Sequence, residues 1–168
     1  PIYKVASLEI TYTQLLKAIA ITGKPVIMST GGATLKEIQY AIETLTAHGT
    51  KSLVLLKCSP TYPAQLQDLN LSTIPFLKEK FQVPVGFSDH TEGSIAASIA
   101  TGLGSVLIEK HVKLDEDDDS VDSQFALEVS KLSDFVEQIN AAWDSVGQVK
   151  VSPTESEVET LKYLNLRT

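Results

Sequence analysis

The sequence holds one cysteine, one methionine and one tryptophan in 168 residues. A lone thiol, Cys58, excludes an internal disulfide and leads us to expect a reducing, cytoplasmic setting. Positive charge is scarce as well: 14 Lys and Arg against 21 Asp and Glu give a formal net charge of −7. That balance argues against nucleic acid and anionic membranes as partners. It still allows a small anionic substrate held by a local cluster of donors. No apolar run approaches the ~18 residues of a membrane span, and no charged-then-apolar leader is visible. Neither a Walker A pattern nor Gly-x-Gly-x-x-Gly occurs, so nucleotide binding lacks support. What is present is ordinary for a globular chain, with 43% apolar and 21% charged residues and a length that suits one domain. The chain opens on Pro1 with a strand-like Lys4-Val5-Ala6-Ser7 close behind, as a segment of a longer protein would.

Short apolar runs alternate with amphipathic stretches. The runs are Tyr3–Ala6, Pro25–Met28, Leu53–Leu56, Val83–Phe87 and Val106–Val112, and they read as strands of a parallel sheet covered on both faces. Thr11 with Gln14 and Thr34 with Glu37 form candidate capping boxes at two helix starts. The first helix presents Leu15, Leu16, Ile19 and Ala20. The second presents Leu35, Ile38, Ala41, Ile42 and Leu45, with Gly49 as its stop. Ile74, Leu77 and Phe81 mark a third helix, and Ile95, Ala96 and Ile99 a fourth. Leu132, Phe135, Val136, Ile139, Trp143 and Val146 mark a fifth, with Trp143 expected in the core. Five βα units imply right-handed crossovers. Two architectures fit: part of a (β/α)8 barrel, or a five-stranded doubly wound sheet of flavodoxin type. Length favours the second, because a full barrel needs ~250 residues.

In both architectures the site lies at the C-terminal strand ends. Here those ends are polar and the strand starts are bland. They carry Lys4 and Ser7, then Ser29-Thr30-Gly31-Gly32, then Lys57-Cys58-Ser59-Pro60-Thr61-Tyr62-Pro63, then Ser88-Asp89-His90, then Glu109-Lys110-His111. Strand alternation puts Ser88 with His90 on one face, and Glu109 with His111 on one face. Neighbouring parallel strands lie ~4.8 Å apart, so the two imidazoles are candidates to share one divalent cation. Lys4, Ser7, Ser29, Thr30, Ser59 and Ser88, with the amides of Gly31 and Gly32, would make a phosphate cradle. Lys4 and Lys57 are alternatives as Schiff-base lysines, whereas Lys110 alternates with His111 and points outward. Cys58 reads as a buried structural thiol. His48 reads as a helix-end residue. The acidic run Asp115–Asp119 reads as a solvated loop.

Five motifs in one order carry a resemblance. They are Lys4-Val5-Ala6-Ser7, Lys24-Pro25-x-Ile27-x-Ser29-Thr30-Gly31, Lys57-Cys58-x-x-x-Tyr62-Pro63, Gly86-Phe87-Ser88-Asp89-His90-Thr91 and Ile108-Glu109-Lys110-His111. Together, from about Lys4 to Gly147, they resemble the sialic acid synthase family. Lys57-Cys58 and Val121-Asp122-Ser123-Gln124-Phe125 look more like its pseudaminic acid synthase branch than its N-acetylneuraminate branch.

The resemblance implies a partial (β/α)8 TIM barrel, five consecutive βα units matching the fourth to eighth strands of the family barrel. Residues 1–150 would be this barrel part, and 151–168 a polar linker towards an absent C-terminal domain. It implies condensation of phosphoenolpyruvate with the aldehyde of an acetamido sugar, giving a nine-carbon 2-keto acid and phosphate. By the same resemblance His90 and His111 hold Mn²⁺ or Mg²⁺, and Lys4, Ser7, Ser29 and Ser88 bind the phosphoenolpyruvate phosphate. Tyr62 and Asp122 would face the sugar, and the full-length parent would be a homodimer. Imidazole ligands favour manganese in the usual affinity order and must be neutral to bind it. Two departures from the family stand out: Pro60 replaces a common Asn or Ser, and Glu116 follows Leu114-Asp115 where Arg is frequent. The alternatives at this stage are a Schiff-base aldolase and a non-catalytic flavodoxin-like binding domain.

Overall fold

The structure is a computed structural model, and it describes residues 1–115 and 120–163. Glu116–Asp119, the greater part of the acidic run, lies outside the described residues. Five parallel strands pair in sequence order: β1 (Tyr3–Val5), β2 (Val26–Ser29), β3 (Leu53–Cys58), β4 (Val85–Asp89) and β5 (Ile108–Lys110). Sequential order is that of a barrel. A flavodoxin-type sheet reverses direction after its first strand, in the order 2-1-3-4-5, so the doubly wound alternative is corrected here. The five units form a half-barrel.

Four helices return the chain between strands: α1 (Thr13–Ala20), α2 (Leu35–Ala47), α3 (Thr73–Phe81) and α4 (Ile95–Gly102). After β5 a two-residue parallel pair, β6 (Val112–Lys113) with β7 (Leu127–Glu128), brackets the loop that carries Asp122. Helix α5 (Leu132–Val146) follows and packs on α4. Among the described residues no helix is long and apolar enough to cross a membrane.

One core lies between the sheet and its helices. Val5, Val26, Met28, Leu55, Val85 and Phe87 meet Leu16, Ile38, Leu45, Ile74, Leu77 and Ala100 there, all nearly or fully buried. Burial of this apolar surface is the main stabilising term, at roughly 25 cal/mol per Å². The alternate strand positions, among them Ile27, Val54 and Leu56, face the other way, into the concave side.

Local signals fared unevenly. The Thr34 box forms: Thr34 N donates to Glu37 Oε2 at 2.7 Å, and Glu37 N donates to Thr34 Oγ1 at 3.3 Å. The Thr11 box does not form, because the chain leaves β1 through a 3₁₀ turn at Ser7–Glu9 and α1 starts only at Thr13. In that turn Ala6 N donates to Glu9 Oε2 at 2.8 Å, and buried Ile10 anchors the exit. Helix α4 buries Ala96, Ala97 and Ala100 and turns Ile95 and Ile99 outward, since small side chains allow it close to β4 and α5. Helix α5 buries only Phe135, and Trp143 is 59% exposed rather than in the core. The span 151–168 includes a capped helix, α6 (Glu155–Leu161), so this stretch is not wholly linker-like.

Gly86 in β4 is required by close approach. A Cβ there would lie 2.5 Å from Leu107 O and 2.6 Å from Leu56 Cδ2. Gly102, at the end of α4, has open space around it. Gly86→Ala is expected to cost about 1–3 kcal/mol by overpacking, and Gly102→Ala to be neutral or stabilising by up to about 1 kcal/mol. Urea unfolding of both variants checks the contrast.

Candidate functional site

The C-terminal strand ends deliver two adjoining clusters to one rim. The first is built around Lys4. Its Nζ donates to Ser29 Oγ at 2.9 Å and to Val5 O at 3.1 Å, and lies 3.6 Å from Glu109 Oε1. Lys4 belongs to β1 and Glu109 to β5, so this ion pair spans the concave face between the two outermost strands. Ser88 Oγ donates to the same Glu109 oxygen at 2.9 Å. Ser7 Oγ accepts from Gly31 N at 3.0 Å, which leaves its own hydrogen to donate elsewhere. A Cβ on Gly31 would meet Ser7 Oγ at 2.8 Å and Cys58 O at 3.2 Å, so only glycine lets these loops touch. The arrangement offers an ammonium and several hydroxyls to an anion.

The second cluster is aromatic. His90 is 4% exposed, and its ring stands 5.3 Å from that of His111, centroid to centroid. Tyr62 stacks on His90 at 4.3 Å and meets His111 edge-on at 6.3 Å. Buried Phe125 backs all three rings, at 5.1 Å from His111, 5.3 Å from Tyr62 and 5.8 Å from His90. His90 Nδ1 donates to Ser59 O at 2.8 Å, which puts the ring proton on Nδ1 and the lone pair on Nε2. His111 Nδ1 lies 3.5 Å from Asp122 Oδ2. Metal-binding histidines have this outer-shell pattern, a carbonyl or carboxylate on the nitrogen turned away from the ion. The residues therefore fit a divalent cation. Among the described residues no group of three or more His, Cys, Asp or Glu side chains could hold a metal, so water and substrate would complete the coordination.

Cys58 joins the clusters, with Sγ 4.0 Å from His90 Nδ1. Burial pushes its thiol up, but contacts with His90, Ser7 and Ser88 outweigh it, and the net shift is down. Burial likewise pushes His90 down, while Cys58 and the Ser59 carbonyl raise it, for a net rise. Tyr62 is held above its usual value by partial burial and by Cys58, Asp122 and Glu109. It is a proton donor at neutral pH.

The eight residues that the resemblance assigns to the site, Lys4, Ser7, Ser29, Tyr62, Ser88, His90, His111 and Asp122, gather at this rim, whereas the Thr30 hydroxyl donates to Leu56 O at 3.0 Å and the Ser59 hydroxyl pairs with that of Thr61 at 2.9 Å, so neither is turned to the Lys4 cluster. Three others were missed as members: Glu109, Phe125 and Cys58. For Glu109 the signal was its alternation with His111. Pro60 packs beside the Gly31–Gly32 turn. His48 ends α2, with Nδ1 2.8 Å from Thr44 O, away from the rim. Lys57 does not join either cluster. Its register partner is Phe87 of the helix-facing core, and its amine bonds Cys58 O at 3.0 Å.

The chain matches the NeuB family over residues 1–151 and belongs to that family. Pseudaminic acid synthase of Campylobacter jejuni is 40% identical over 153 residues, 91% of this chain and 45% of the relative. N,N'-diacetyllegionaminic acid synthase of Legionella pneumophila is 35% identical over 159 residues, 92% of this chain and 45% of the relative. The crystal structure of N-acetylneuraminic acid synthetase from Leptospira borgpetersenii, in complex with citrate, superposes with a TM-score of 0.87 at 34% identity. That match covers 98% of this chain and 57% of the other. The chain thus spans about half the length of the curated relatives it matches.

Burial depresses the Lys57 amine below its usual value, as a Schiff-base lysine requires, yet the amine is on the wrong side of the sheet. Borohydride reduction with pyruvate is expected to leave Lys57 and Lys4 without an adduct by mass spectrometry. An adduct on Lys57 would move the chemistry to the helix-facing side.

Proposed function

We propose that this chain supplies the metal- and phosphate-binding half of a synthase that condenses phosphoenolpyruvate with an acetamido-sugar aldehyde. The product is a nine-carbon 2-keto sugar acid, with a pseudaminic acid as the first choice. The observation that carries the reading is the abutment of the Lys4–Ser29–Ser88 cradle on two imidazoles whose Nδ1 atoms face Ser59 O and Asp122. Family membership supports the reaction class. The branch rests on Lys57-Cys58 and the Asp122 loop, and on the Campylobacter relative.

Mn²⁺ or Mg²⁺ would be held by His90 and His111, where it supplies Lewis-acid polarisation of the aldehyde oxygen. The chain's own groups do the rest. Lys4, Ser7, Ser29 and Ser88 hold the phosphate of phosphoenolpyruvate, directing C3 towards the aldehyde carbon. A C–C bond forms as the C2–C3 double bond is spent, and the aldehyde oxygen becomes a hydroxyl. Water adds to C2, and one of its protons passes through Glu109, the carboxylate lying between the cradle and the imidazoles, to the former aldehyde oxygen. Cleavage of the C2–O bond then releases phosphate, which takes the remaining water proton, and leaves the ketone. Tyr62 and Asp122 face the sugar hydroxyls and acetamido group from the loop side.

Calorimetric titration with Mn²⁺ tests the centre of this reading. One ion per chain is expected, with at least about tenfold weaker binding in His90→Ala and in His111→Ala, since half the protein ligands are lost. Equal affinity in all three proteins would sink the metal site.

The 168 residues alone are expected not to catalyse the condensation. Strands β1 and β5 each pair on one side only, and an open edge exposes unpaired N–H and C=O groups. Among the described residues the cradle and imidazoles also have no opposing strands across the concave side, and loss of several positioned groups costs orders of magnitude in rate. Phosphate release is followed with phosphoenolpyruvate, Mn²⁺ and a panel of acetamido sugars. Turnover near ~1 s⁻¹, within the ordinary enzyme range, would show that the half-barrel suffices.

A further inference from the structure

Directly behind the two imidazoles, on the helix-facing side of the sheet, Asp89 and Lys110 form an ion pair at 3.0 Å. Their side chains are 0% and 5% exposed. Asp89 Oδ1 accepts from Thr91 N at 2.8 Å and from Thr91 Oγ1 at 2.7 Å, and Oδ2 accepts from Lys110 Nζ. Lys110 Nζ also donates to Thr91 O and lies over the Phe135 ring of α5. Among the described residues, the polar contacts of the pair thus stay within the pair and with Thr91, two residues past β4.

Burying two opposite charges is a poor way to stabilise a core. Desolvation offsets most of their attraction, and apolar replacements of similar size are often as stable. The location suggests another use. Asp89 and Lys110 are the last register partners of β4 and β5, and each precedes one imidazole in the chain. Beyond them the strand ladder stops. The His90 carbonyl accepts from Ala64 N, and the His111 carbonyl accepts from Leu127 N, so each backbone is tied to a different loop. Among the described residues, the ion pair is the last link between the two strands before the two imidazoles.

We propose that the Asp89–Lys110 pair is a positioning device that holds His90 and His111 at the separation needed to share one divalent ion. The inference rests on the metal reading of these histidines given above. Asp89→Asn with Lys110→Met removes both charges together while keeping an acceptor oxygen for Thr91. This double variant avoids the stranded buried charge that either single change would leave.

The test compares it with the unmodified protein by two readouts. One is Mn²⁺ affinity by calorimetry. The other is the set of imidazole nitrogen–proton NMR signals of His90 and His111 without metal. A folded double variant that binds Mn²⁺ about tenfold or more weakly, with altered imidazole signals, supports positioning; outer-shell changes typically cost 10–100-fold in metal affinity. Affinity within twofold and unchanged signals overturn it. If the unmodified protein binds no Mn²⁺, the metal reading fails, and the imidazole signals alone decide whether the pair orients the rings. Should the double variant not fold, amide exchange in the unmodified protein decides. Slow exchange at Thr91 N supports a rigid strand end, and exchange as fast as in an exposed loop overturns it.

Discussion

A parallel sheet shows each of its faces only every second residue, and in-register pairing repeats that choice from strand to strand. The rest of this molecule depends on that parity. Phe87 pairs with Lys57 and Ile108 on the helix side, whereas Ser88 pairs with Cys58 and Glu109 on the concave side. A slip of one residue in β4 would exchange the two sets. It would sink Ser88 into the apolar core and turn Phe87 onto the Lys4 cluster of the rim. The core's demand for apolar contact therefore also fixes which polar groups reach the rim.

The order of elements was legible because period and punctuation agreed. Val- and Ile-rich runs were separated by amphipathic stretches, and Thr34 with Glu37 forms the cap that its spacing announces. What escaped were features decided by tertiary packing. Alternation within a run does not say which parity faces inward when both are apolar. Leu53, Leu55 and Val85 pack on the helix-side core, while Ile27, just as apolar, faces the concave side. The two large residues of α4 point outward because its alanines are what fit against β4. Val106–Val112 read as one strand, but it breaks at His111, whose carbonyl turns to Leu127 N instead of the sheet.

The rim residues were legible for a related reason. Hydroxyls, lysine and histidine at strand ends contradict the apolar composition of the strands that carry them, and such local conflict marks function. The residues that escaped make no such contrast by themselves. Phe125 is one more apolar residue in a loop until its ring is seen against Tyr62, His90 and His111. Asp89 and Lys110 are separated by 21 positions, and only the β4–β5 register brings them together. Lys110 did point away from the rim as alternation implied, but into a buried ion pair rather than to water.

The half-barrel has a consequence for the chemistry at its rim. Among the described residues, Glu109 of β5 and Lys4 of β1 meet across the concave face. In that arrangement each neutralises the other, and Lys4 presents an anion with less than its full charge. Any anion drawn to Lys4 would have to compete with Glu109 for the ammonium. Lys4 thus ties the β1 and β5 ends of the rim together through one charge shared with Ser29 and Glu109.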